Sequence, residues 1–159
     1  MAGTLYVIAS LFLARHFAGI AGNGHALVAT GLVIGGGVTV FAIGALETSG
    51  FSTVLAVGTG AAAQHAFLGT SAVMGFMAAS AGYLFPVAIV AYGLAMMRDS
   101  GWPGWLAWLG VVLGVVSLVV NRFGIPVGPV PNLLGYVSDV WYAILGMLFM
   151  GRGGSATTV

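Results

Sequence analysis

Apolar residues run along this chain in long unbroken blocks. They show neither the alternation of a half-buried strand nor the three-to-four spacing of a surface helix. A helix needs about 20 such residues to cross a bilayer. Six blocks have roughly that length: 3–20, 25–46, 51–68, 72–97, 103–120 and 133–150. Short polar breaks separate them at Ala21-Gly22-Asn23-Gly24, Glu47-Thr48-Ser49-Gly50, Gly69-Thr70-Ser71 and Arg98-Asp99-Ser100-Gly101, and only 121–132 is longer. Links this short force consecutive helices antiparallel. The expected fold is therefore all-α, a polytopic transmembrane helical bundle of about six spans with up-down topology. It forms a single domain over 1–150, followed by a flexible Gly/Ser/Thr-rich tail at 151–159.

Composition sharpens this picture. Sixty percent of the 159 residues are hydrophobic, only 4% are charged, and the mean hydropathy is +1.10. A soluble domain carries roughly 25% charged residues, so the pattern argues against a soluble enzyme, a nucleic-acid binder and a disordered chain. There is no Cys, which removes disulfides, thiolate metal sites, Fe–S clusters and Cys nucleophiles. All four basic residues are Arg, and 27 residues are Gly. This points to a GC-rich bacterial genome, hence a multi-pass protein of the bacterial inner membrane with lipid as its main partner. A net charge of +1 provides no polybasic patch for nucleic acid.

Orientation rests on few charges. The first block has no preceding basic residue and carries Arg15-His16 where a signal peptide needs a small, neutral cleavage region, so it reads as a span. An even span count puts both termini on one side. Arg98 and Arg152 make that side cytoplasmic by the positive-inside rule.

Small residues mark the packing faces. Gly31-Leu-Val-Ile-Gly35 and Gly110-Val-Val-Leu-Gly114 let helix backbones approach closely. Gly110, Gly114, Ser117 and Asn121 share one face of the fifth span. Ser71, Gly75, Ala78, Gly82, Pro86, Ile89 and Gly93 share one face of the fourth. Pro86 removes a backbone hydrogen bond there.

Ionisable residues inside spans are expensive and mark function or a specific partner. On the six-span reading Arg15, His65 and Asp139 lie at roughly 5–9 Å depth in one leaflet, counting 1.5 Å per residue. Gln64 neighbours them. Gly135, Asp139, Tyr142 and Gly146 follow the spacing of one helix face, and the glycines imply that this face meets another helix. Asp139 then either pairs with Arg15 or Arg122 to fix helix order, lines a ligand or proton site, or reaches solvent. The ligand-binding candidates are Arg15, Gln64, His65, Asp139 and Tyr142. His25 and His65 are the candidates for a haem or metal, because imidazole suits both. No HExxH pair, GxSxG elbow or phosphate loop is present, and no catalytic residue is assigned.

Ser100-Gly101-Trp102-Pro103-Gly104-Trp105-Leu106-Ala107-Trp108-Leu109-Gly110 resembles a turn, Ser-x-x-Pro-x-Trp-Leu-Ala-x-x-Gly, of a family of bacterial six-helix membrane proteins carrying a domain of unknown function. Those proteins also end in a Trp-containing last span, as 141–150 does here. The resemblance covers about the last 90 residues, implies the six-helix fold and carries no activity with it.

Three functions fit these observations. The first is a non-catalytic bundle that binds or passes a small or lipidic ligand. The second is a haem- or metal-binding membrane redox protein using His25 and His65. The third is a structural subunit whose glycine faces dock a homo-oligomer or another membrane protein.

Overall fold

The computed structural model describes residues 24–56, 58–124 and 130–153, together with Leu11, Arg15 and Phe17. Every regular element in these residues is helical: α1 (Gly24–Ala45), a π-turn (Leu46–Gly50), α2 (Phe51–Ala56), α3 (Ala61–Met97), α4 (Gly104–Phe123) and α5 (Val130–Gly153). Gly24–Val54, Ala61–Met97 and Gly104–Phe123 are long and apolar enough to cross a membrane. The last helix carries a shorter apolar stretch, Leu133–Leu148.

Among the described residues the all-helical expectation holds, but they show four long helices and not the expected spans; the expected first span, 3–20, lies outside them apart from Leu11, Arg15 and Phe17. The chain turns at Gly58 and Gly60, whose φ angles of +93° and +132° suit glycine and strain other residues. The expected third span, 51–68, is therefore cut in two. Its first half continues α1 through the π-turn, and its second half opens α3. Glu47-Thr48-Ser49-Gly50 and Gly69-Thr70-Ser71, expected as loops, are helical. Their hydroxyls explain why. Thr48 donates to the Gly44 carbonyl (3.0 Å), Ser49 to Ala45 (2.6 Å) and Thr70 to Ala66 (2.9 Å). A hydroxyl satisfied within its own helix no longer needs a loop or solvent.

Two long helices, α1 and α4, pack against α3. Thr30 meets Tyr92, Gly36 meets Phe85 and Gly50 meets Thr70, so α1 and α3 run antiparallel. Thr30 Oγ1 donates to the Ala26 carbonyl at 2.7 Å. Its single proton thus spent, it accepts the Tyr92 hydroxyl at 3.0 Å. Gly36 and Gly37 are both buried, and the tip of the Phe85 ring stands over Gly36. Gly31, by contrast, faces open space, so the expected Gly31/Gly35 pair is not the contact that joins these helices.

The α3–α4 contact is closer. A tight turn reverses the chain between them: Asp99 Oδ1 accepts from the Gly101 N–H at 2.9 Å, and the Trp102 N–H donates to the Asp99 carbonyl at 3.1 Å. A β-carbon on Gly93 would stand 2.8 Å from the Ala107 carbonyl oxygen. One on Gly114 would stand 2.6 Å from the Pro86 carbonyl oxygen. The two helices touch backbone to backbone, as the glycine faces in the sequence indicate. Trp141, 1% exposed, fixes α5 to α4: its indole N–H donates to the Leu106 carbonyl at 3.1 Å and its ring covers Gly110.

Gly114→Ala forces α3 and α4 apart and should cost about 1–3 kcal/mol, the usual range for overpacking. Gly31→Ala meets nothing within 4 Å and should not destabilise the protein. Thermal unfolding of both variants in detergent distinguishes them.

Candidate functional site

Pro86 lies inside α3 and has no N–H, so the carbonyl four residues earlier, that of Gly82, loses its helical donor. The helix nevertheless continues from Ala61 to Met97. Asn121, near the end of α4, supplies the missing bond: its Nδ2 donates to the Gly82 carbonyl at 2.6 Å. This is possible because Gly82 has no side chain. A β-carbon there would already touch the Asn121 amide at 3.5 Å.

Next to this bond is a cleft of about 610 Å³ whose walls come from all four long helices. Phe85, Pro86 and Ile89 of α3, with Val40 and Ile43 of α1 and Leu134 of α5, make most of it apolar. Its polar lining is Ser117 and Asn121 of α4 and Ser138, Asp139 and Tyr142 of α5. A mostly apolar hollow of this size with a few polar groups is the usual form of a small-molecule site.

These groups differ in how they are satisfied. Ser138 donates to the Leu134 carbonyl at 2.8 Å. Tyr142 is buried, with its ring edge-on to Trp141 at 5.1 Å between centroids. Ser117 is 6% exposed, yet its hydroxyl has no hydrogen-bond partner. Among the described residues Asp139 makes no ion pair, and no cationic side chain lines the cleft.

The structure separates the residues that the six-span reading had gathered in one leaflet. Asp139 and Tyr142 line the cleft, together with Gly135 on the same helix face. Gln64 and His65 are exposed in the first turn and a half of α3, about 25 Å along the axis from Gly82 at 1.5 Å per residue. Arg15 is exposed, on a segment whose Phe17 packs on Trp102 with ring centroids 6.1 Å apart. No ion pair joins Asp139 to Arg15, or to the exposed Arg122, among the described residues. His16 lies outside the described residues.

The two histidines are also apart. The Thr30–Tyr92 contact places His25 level with the C-terminal end of α3, while His65 is near its N-terminal end. They are therefore about 48 Å apart along the helix axis and cannot ligate one haem or metal. Among the described residues no group of three or more His, Asp or Glu side chains could hold a metal ion.

Sequence reasoning placed Ser117 and Asn121 on a packing face and missed their part in the site. The signal was present in Pro86, which frees a carbonyl at a known position and so calls for a donor from a neighbouring helix. No family model, curated protein or solved structure matches the chain.

A β-carbon on Gly135 meets nothing within 4 Å, so a side chain at this position can enter the cleft. Gly135→Leu should leave the melting temperature unchanged or raise it, because leucine gains up to about 1 kcal/mol of helix propensity over glycine. Gly110→Leu must displace Trp141, which stands 2.5 Å from the new β-carbon, and should lower the melting temperature in the same assay.

Proposed function

We propose that this chain is an integral membrane protein, most simply of a bacterial cytoplasmic membrane, that binds or passes a small or lipidic ligand through the cleft between α1, α3, α4 and α5. Three helices of sufficient length and apolarity support the membrane assignment, as does a large apolar surface that includes exposed Phe41, Phe76 and Phe123. Counted from Gly24 to Gly153, the four long helices make four crossings, so those two positions share one face of the membrane.

One observation carries the ligand reading. A close-packed bundle places an apolar hollow of about 610 Å³ beside a buried hydroxyl with no partner and a carboxylate with no counter-ion. Folding alone does not favour the Ser117 hydroxyl in such a place, since buried polar atoms are normally paired; the Asp139 carboxylate is exposed beside it and makes no ion pair among the described residues. A bound molecule would satisfy both. The reading assigns no bond-breaking chemistry: the cleft contributes binding and orientation by Ser117, Asn121, Asp139 and Tyr142.

Native mass spectrometry of the protein extracted with its own lipids tests this. The wild-type chain should carry a molecule of defined mass at fixed stoichiometry, and Gly135→Leu should lose it while keeping its melting temperature. Identical bound-mass spectra from the two proteins would contradict the cleft assignment.

A further inference from the structure

The cleft also constrains the head group of what enters it, provided that it is the ligand site proposed above. Besides Ser138 and Tyr142, its polar wall offers three different groups. Asp139, exposed at the wall of the cleft, brings the only formal charge among the described lining residues. Asn121 has committed one amide N–H to the Gly82 carbonyl, and its side-chain oxygen remains an acceptor. Ser117 is the most informative. Four hydroxyls elsewhere in these helices return their proton to the carbonyl four residues back: Thr30 at 2.7 Å, Thr39 at 2.8 Å, Thr70 at 2.9 Å and Ser80 at 2.9 Å. Ser117 does not. It lines the cleft almost fully buried, with its donor and acceptor capacity unused.

We propose that the cleft takes an amphiphile with a protonated primary amine as its head, Asp139 serving as counter-ion and Ser117 Oγ accepting one of the ammonium N–H bonds. The alkyl part lies along Phe85, Ile89 and Leu134. The alternatives each leave something unmet. An anionic head is repelled by Asp139. An alcohol leaves the carboxylate without a counter-charge. A quaternary ammonium supplies the charge but has no N–H for Ser117. The ammonium could belong to a single-chain amine or to the head group of an aminophospholipid, and the chemistry at Asp139 and Ser117 is the same for both.

The test uses the full chain in maltoside micelles, with binding measured by native mass spectrometry. The single-chain probes are dodecylammonium, dodecyltrimethylammonium, dodecanol and dodecyl sulfate. Each is titrated against the wild-type protein, Asp139→Asn, Ser117→Ala and Gly135→Leu in the same micelles, so that partition into detergent cancels. Dodecylammonium should bind tightest, and Asp139→Asn should weaken it by about tenfold or more, the scale expected for loss of a charge-assisted hydrogen bond. Ser117→Ala should weaken dodecylammonium more than dodecyltrimethylammonium. In the unliganded protein it should raise the melting temperature, because it removes an unsatisfied buried hydroxyl. Displacement of dodecylammonium by dilauroylphosphatidylethanolamine, but not by the matching phosphatidylcholine, assigns the amine to a lipid head group, and no displacement assigns it to a single-chain amine.

Dodecanol binding as tightly as dodecylammonium, with Asp139→Asn unchanged and Gly135→Leu weakened, would overturn the amine assignment and leave the cleft as the ligand site. Failure of all four probes to bind, or binding that Gly135→Leu does not affect, would overturn both readings.

Discussion

A backbone carbonyl without a donor, away from water, is among the more costly defects a helix can carry. Pro86 leaves the Gly82 carbonyl without its helical donor, near the middle of the longest of the described helices. The Asn121 amide takes that donor's place, and much of the bundle follows from how Asn121 gets there. The amide reaches Gly82 because α4 lies against α3 with almost no side chain between them, which requires Gly93 on one helix and Gly114 on the other. The same close approach buries the Pro86 carbonyl beneath Gly114 and sets the antiparallel register of the two helices.

The cleft is the complement of that tight contact. Trp141 pins α5 to α4 at Leu106 and Gly110, one end of the α4 face. Toward its N-terminal end α5 presents Gly135, Asp139 and Tyr142 to the opening beside Ser117 and Asn121. Small residues at Ala78, Ala81 and Gly82 leave that space unfilled. Close packing at one end and small residues at the other thus give the bundle both its stability and its hollow. The polar residues on the rim take unequal parts. Asn121 is committed to the backbone, whereas Ser117 and Asp139 have hydrogen-bonding or charge capacity left for a ligand.

Much of this was legible in the sequence, though unevenly. Uninterrupted apolar blocks announce helices, and the glycine spacing at Gly110 and Gly114 announces the face on which α4 packs. The face shared by Gly135, Asp139 and Tyr142 is likewise readable from its spacing, but it opens on the cleft and does not meet another helix at its glycines: a β-carbon on Gly135 or Gly146 would meet nothing within 4 Å. Boundaries misled where Ser and Thr were taken for loop residues, because Thr48, Ser49 and Thr70 satisfy their hydroxyls within the helix. The true turn lies in an apolar stretch and shows itself only through the closely spaced Gly58 and Gly60. That one displaced turn moved every depth estimate in the first half of the chain. It carried Gln64 and His65 away from Asp139 and set His65 at the end of α3 opposite to the one that His25 of α1 lies level with. The partnership of Asn121 with Gly82 spans 39 positions and rests on a proline's missing proton, so hydropathy and charge give no trace of it.

A double-mutant cycle between Pro86→Ala and Asn121→Ala, read as unfolding free energy in detergent, tests this account most directly. With Pro86 in place, Asn121→Ala strands the Gly82 carbonyl and should cost about 1–3 kcal/mol. With Pro86→Ala, residue 86 again has an N–H to donate to that carbonyl, and the loss from Asn121→Ala should fall to less than half of its value in the Pro86 background. An equal loss in both backgrounds would show that Asn121 does not serve the bond that Pro86 removes, and would contradict the account.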